Sequence, residues 1–165
     1  MTKKTEFYRD LLAQAKALIS DETDPIANMA NISALLFNAL VQVNWVGFYR
    51  VLDNELVLGP FQGQVACIRI PLGVGVCGTA AQTATTQRID DVHQFAGHIV
   101  CDASSNSEIV IPVKLKGVTI AVLDIDSTRF DRFDQNDQIG LESIVEVFEK
   151  SLTASEHGLK KSQLI

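Results

Sequence analysis

The chain has 165 residues, 47% of them hydrophobic, with a formal net charge of −6 and a sequence pI of about 5.0. That is room for one domain with a substantial core, and cramped for two. The acidic balance argues against a nucleic-acid partner, whose phosphates need clustered Lys and Arg; the nearest basic cluster, Lys160-Lys161, is a solvated pair in a polar tail.

The N-terminal segment interrupts its apolar residues with Lys3, Lys4, Glu6, Arg9 and Asp10, unlike a secretory signal. No apolar run approaches the ~18 residues of a membrane span. A cytoplasmic protein with no membrane partner is expected. Phe7, Leu11, Leu12, Ala15, Leu18 and Ile19 recur at helical spacing and predict an amphipathic first helix. Asp24-Pro25 reads as an N-cap followed by proline at the first helical position. A second apolar stripe runs from Ile26 through Met29, Ser33, Leu36 and Leu40 to Val41, and Asn44 is expected to end it.

The period then changes to that of strands. Val46 to Leu52, a turn at Asp53-Asn54, and Glu55 to Leu58 form a hairpin. Gly59-Pro60-Phe61-Gln62-Gly63 breaks the pattern. Ala66 to Ile70 is a third strand, with Cys67 and Arg69 on one face. Gly73-Val74-Gly75-Val76-Cys77-Gly78 lacks the Lys-Ser/Thr of a phosphate loop, and its glycine spacing is not a dinucleotide fingerprint. It reads as a tight turn into a short helix, whose free amides could hold a small carboxylate. Arg88 to Val92 is a short strand. Glu108 to Val113 and Val118 to Ile125 are β-branched strands joined at Lys116-Gly117, and Phe133-Asp134 caps a last helix with Ile139, Ile144, Val145, Phe148 and Leu152 on its stripe. The fold class is α+β: one domain over residues 1–155, a polar tail over 156–165, a largely antiparallel sheet, and N- and C-terminal helices on one face. The irregular middle, about residues 71 to 107, is long enough to suggest a functional loop region on the other face.

Three cysteines, Cys67, Cys77 and Cys101, and no CxxC pair do not make a disulfide scaffold. His93, His98 and Cys101 lack the closely paired ligands of structural zinc, so no metal site is expected. Alternation puts Asp124 and Asp126 on one face of the last strand. Pairing through the Lys116-Gly117 turn matches positions summing to about 233, which sets Glu108 opposite Ile125 and within reach of both aspartates. Three acids gathered at one sheet edge suit an ammonium group, or a carboxyl with a raised pKa that donates a proton. Trp45 and Tyr49 share a parity and would wall such a pocket, while Phe48 points the other way; core packing is the plainer alternative for each aromatic. Cys101 opens a polar loop, His98-Ile99-Val100-Cys101-Asp102, where a thiol is more open to reaction than to burial. Cys67 and Cys77 are candidates to trap an oxidised Cys101 as a disulfide, and an inert buried thiol is the alternative for any one of them. The residues alone describe a redox-capable acidic pocket.

Gly59-Pro-Phe-Gln-Gly63, Ala66-Cys-Ile-Arg-Ile70, Gly73-Val-Gly-Val-Cys-Gly-Thr79, Asp91-Val92, Gly97-His-Ile-Val-Cys-Asp102, Ser107-Glu-Ile-Val110 and Leu123-Asp-Ile-Asp-Ser127 together resemble the free methionine-(R)-sulfoxide reductases, enzymes built on a GAF domain. The resemblance covers about residues 1 to 152. It implies that Cys101 is the nucleophile attacking the sulfoxide sulfur of free methionine-(R)-sulfoxide, and that Glu108 polarises the sulfoxide oxygen, with Asp126 as a second candidate. Cys67 resembles the resolving cysteine, with Cys77 as an alternative. Asp124, Asp126, Trp45 and Tyr49 resemble the substrate-binding set. It further implies recycling by thioredoxin or a similar dithiol, a homodimer through the terminal helices, and no metal or organic cofactor. The competing expectations are a non-catalytic GAF sensor of a small molecule and a thiol redox switch.

Overall fold

A computed structural model describes residues 3–97 and 103–155. Asp24 starts the second helix as expected: its side chain accepts from the Ala27 N–H at 2.8 Å, and Pro25 occupies the first turn, where its missing N–H costs nothing. The helices are α1 (Lys3–Ile19), α2 (Pro25–Ala39), α3 (Gly75–Thr83) and α4 (Gln135–Ser155). The strands are β1 (Trp45–Leu52), β2 (Glu55–Gly63), β3 (Arg69–Pro71), β4 (Gln87–Ile89), β5 (Ser107–Leu115) and β6 (Val118–Ser127). They form one antiparallel sheet in the order β3-β2-β1-β6-β5-β4.

Period-2 alternation sorts the strand side chains onto two faces. Val46, Phe48, Ile109, Ile111, Val113, Ala121, Leu123 and Ile125 point to one side and are covered by α1, α2 and α4. Trp45, Tyr49, Val110 and Val122 point to the other, where α3 and the chain before β3 cover them. The terminal helices therefore share one face, as the sequence implies. The buried stripes are turned slightly from the expected ones. Tyr8, not Phe7, enters the core from α1, and Leu141, not Ile139, enters from α4. Ile26, Val41 and Leu18 stay exposed.

Tyr8 is drawn inward by a carboxylate. Asp137, fully buried at the start of α4, accepts from Tyr8 Oη at 2.7 Å, from the Asp134 N–H at 2.8 Å, and from Lys4 and Arg132. Buried charge is tolerated only with such partners. The network ties the first turn of α1 to the first turn of α4.

Four expectations are corrected. The second helix stops at Ala39, because the chain turns extended at Leu40 and left-handed at Gln42 (φ 62°). The Gly59-Pro60 break does not end β2, which runs on to Gly63. β3 pairs β2 only from Glu55 to Val57, so no ladder hydrogen bond is demanded of Pro60, and the extra residue is absorbed where the β1–β2 register shifts between Gly47 and Tyr49. The third strand is only Arg69–Pro71, and residues 64–68 form a strap ahead of it. Strand β4 ends at Ile89, and Val92–Gln94 is a single 3₁₀ turn capped by Asp91. No helix among the described residues is long and apolar enough to cross a membrane.

Candidate active site

The register of β5 against β6 decides where Glu108 points. Near the turn Leu115 faces Val118 and Lys114 faces Thr119, the pairing the sequence predicts. A bulge between Val113 and Lys114 then shifts the ladder by one, so Glu108 faces Asp126 and Ile109 faces Ile125. This corrects the expected Glu108–Ile125 pairing, and the correction matters. Opposed residues share a face, so the unshifted register would have turned Glu108 toward the helices. The bulge delivers it to the side of Asp124 and Asp126.

One carboxylate oxygen from each of Glu108, Asp124 and Asp126 lies within 4.8 Å of the others. Glu108 and Asp124 are 7% exposed, and Asp126 is half-buried. Asp124 Oδ1 is buried and has no hydrogen-bond partner among the described residues. Burial penalises the charged forms. It pushes the Glu108 carboxyl well above the usual range, with the Asp124 charge adding to the effect. Burial also pushes Asp124 up, to about 7, against smaller lowering contributions from the Cys77 thiol and the Ile125 amide. Burial thus favours the protonated forms of Glu108 and Asp124, and a cation placed among the carboxylates would favour the ionised forms instead. An ammonium or a hard metal ion fits three carboxylate oxygens equally well.

The trio forms one wall of a cavity on the α3 side of the sheet. Trp45 and Tyr49 form the next wall, stacked at 5.8 Å between ring centroids, and Phe61 also stacks on the indole, at 5.3 Å. Gly47 lies beneath this stack. A Cβ there would sit 2.5 Å from Trp45 Cη2 and 2.4 Å from Phe61 Cβ. Gly75 and Val76, the first residues of α3, close the opposite side. Val74, the N-cap, supplies no side-chain cap bond, so the helix presents amides and the positive end of its dipole there. Gly78 lets α3 come this close, since a Cβ at that position would meet the Pro71 carbonyl at 2.4 Å.

Six of the predicted site residues, Glu108, Asp124, Asp126, Trp45, Tyr49 and Cys77, thus line one cavity. Cys77 is a free thiol, 6% exposed, and burial among the acids drives its pKa upward, which disfavours the thiolate. Cys67 lies in the strap at the cavity edge, half-buried and disulfide-bonded. Cys101 and His98 lie outside the described residues. Sequence reasoning missed Ser105, which is buried at the cavity and accepts from Asn44 Nδ2 at 3.0 Å. It also missed Gly47 and Phe61. A glycine inside an aromatic strand marks close approach, and that was the available signal for Gly47.

Helices behind a curled antiparallel sheet, with an acidic, aromatic-walled cavity in front, define a small-molecule-binding α+β module. A GAF-domain family model matches residues 27–149. The free methionine-R-sulfoxide reductase of Escherichia coli K12 is 54% identical over 154 residues, which is 93% of each chain. The crystal structure of the Neisseria meningitidis free methionine-R-sulfoxide reductase in complex with its substrate superposes with a TM-score of 0.91 at 42% identity, covering 96% of both chains. The Staphylococcus aureus fRMsr in complex with substrate gives 0.85 at 55% identity, covering 88% of this chain and 95% of that one. The chain belongs to the GAF-domain family and, within it, to the free methionine-R-sulfoxide reductases.

Proposed function

We propose that the protein reduces free L-methionine-(R)-sulfoxide to L-methionine. The observation that carries this reading is one cavity with a cation-seeking acid trio facing the uncapped N-terminus of α3. A free amino acid brings an ammonium for the first and a carboxylate for the second. Its S-methyl group packs on Trp45 and Tyr49. A residue inside a protein chain lacks both charged ends, so the site selects the free amino acid.

The Cys101 thiolate attacks the sulfoxide sulfur. Glu108, held protonated by its burial and by the charge of Asp124, donates to the sulfoxide oxygen, with Asp126 opposite it as the second candidate donor. The sulfur–oxygen bond breaks, methionine leaves with its sulfur reduced by two electrons, and Cys101 carries the hydroxyl as a sulfenic acid. The Cys67 thiol then condenses with it to a disulfide and water. A dithiol protein of the thioredoxin class reduces that disulfide and closes the cycle. The disulfide state of Cys67 and the upward shift of Cys77 favour Cys67 over Cys77 as the resolving thiol.

The test is direct. Reduced protein mixed with free methionine-(R)-sulfoxide should form one methionine per subunit and lose two thiols. The same sulfoxide in N-acetylated, C-amidated form should give none. Absence of methionine from the free amino acid would overturn the reading.

A further inference from the structure

Residues 64–68, between the end of β2 and the start of β3, form a strap anchored through Cys67, which is disulfide-bonded, and through Ala66, which packs with Cys67 against the cavity-side core. Val65 is 86% exposed and Ile68 is 69% exposed. The strap's main chain is held through three carbonyls. Ile68 O accepts from the Leu58 N–H at 2.9 Å. Gln64 O accepts from Trp45 Nε1 at 3.1 Å, and Cys67 O accepts from Tyr49 Oη at 2.9 Å. Two of these three donors are side chains of the cavity wall. Both rings are 2% exposed and stacked on each other, so their donor tips are fixed in space.

We propose that Tyr49 is a positioning residue for Cys67: its hydroxyl fixes the main chain of the resolving cysteine, and so sets how fast the sulfenic acid is captured. The inference rests on the resolving role proposed above for Cys67. In the captured step the Cys67 sulfur displaces hydroxide from the sulfenic sulfur. A sulfur–sulfur bond forms, the sulfur–oxygen bond breaks, and the thiol proton leaves with the hydroxide as water. No outside oxidant enters. The rate depends on the fraction of time that Cys67 stands in line with the sulfur–oxygen bond, and small displacements cost much in such steps. Burial and the neighbouring acids raise the Tyr49 pKa, so its hydroxyl remains a donor across the working pH range.

Tyr49→Phe removes the hydroxyl and keeps the ring and its stack. Tyr49 also walls the cavity, so the readout is the lifetime of the sulfenic acid after a single turnover of the variant with a dimedone quench, not the rate of methionine formation. The variant's sulfenic acid should persist about 10-fold longer than the parent's. In a Cys67→Ala background, where no capture occurs, Tyr49→Phe should add nothing to that lifetime. A merely structural loss would act in both backgrounds. A sulfenic acid as short-lived in Tyr49→Phe as in the parent, or an equal further lengthening in the Cys67→Ala background, would overturn the proposal. A Cys67→Ala variant whose sulfenic acid vanishes as fast as the parent's would instead overturn the resolving role of Cys67, and this proposal with it.

Discussion

Asp124→Asn should stabilise the protein at alkaline pH while weakening its substrate affinity. The Asp124 carboxyl, ordinarily at 3.8, is raised to about 7 in the folded protein, chiefly by burial. Below about pH 4 folded and unfolded chains both hold this proton, and the group costs nothing. Between those values the folded chain holds a proton that the unfolded chain has released, so stability falls as pH rises, and the loss is complete above about 7. Roughly three pH units at about 1.4 kcal/mol each give about 4 kcal/mol as an upper bound. Glu108 shares the strain and retains part of it, so a gain of about 1–3 kcal/mol is expected from the substitution near pH 8. Asparagine has the same shape, carries no charge, and can donate to the remaining acids. Urea unfolding of parent and variant near pH 5 and near pH 8 measures the difference. The variant's advantage should be larger at the higher pH, and its KM should rise, because in the proposed binding mode the ammonium loses one counter-charge. An equal stability difference at both pH values would refute the electrostatic account.

Glu108→Gln keeps the shape of the proposed proton donor and removes its proton. The rate of methionine formation should fall about 100-fold in single turnover, and a loss under about 3-fold would take the role from Glu108. Gly47→Ala forces a methyl group into contact with the Trp45 indole and Phe61, at an expected cost of about 2 kcal/mol, together with a raised KM as the aromatic wall shifts. Unfolding and steady-state assays would separate the two effects. Asp137→Ala leaves Tyr8 Oη, Lys4 and Arg132 without their common acceptor. It should cost about 3 kcal/mol and lower the Tm by on the order of 10 °C in a thermal melt, with the single-turnover rate unchanged at moderate temperature.

Much of the fold was legible because periodicity reports which face is buried. Phe48 against Tyr49, and Ile125 against Asp124 and Asp126, separate correctly on parity alone. What alternation cannot report is a change of register. The bulges at Val113/Lys114 and opposite Gly47–Tyr49 each insert one residue, and no local composition rule marks the first of them. Proline at position 60 looked like a strand end, since its tolerance depends on β3 stopping short, a fact of tertiary pairing. The helix stripes were read one residue off at Tyr8 because a tyrosine scores as less apolar than Phe7, and only its partner Asp137, 129 residues away, explains its burial. The acids, Trp45 and Tyr49 were read from type and spacing. Their convergence with α3 rests on long-range packing that no short window contains.

The acid trio also predicts how ligand affinity changes with pH. With no ligand, burial keeps protons on Glu108 and Asp124 near neutrality. A bound ammonium favours the ionised form of Asp124, so binding must expel its proton, while Glu108 keeps the one it donates. For a group at about 7, only about one molecule in eleven is ionised at pH ~6, so affinity there should be about 10-fold weaker than on the plateau near pH 8. Free methionine, the product, carries the same ammonium and cannot react, which makes it the proper probe. Its affinity measured by calorimetry should rise with pH up to about 7 and then level. The heat near pH 6 should differ between buffers of different ionisation enthalpy, because the released proton is taken up by the buffer. Methionine sulfone, equally unreactive, should follow the same curve, since the trend belongs to the ammonium. An affinity that stays flat across this range, with heats independent of buffer, would mean that the trio does not meet the ammonium. The ammonium would then have to be placed elsewhere in the cavity, and the three acids assigned to the sulfoxide oxygen alone.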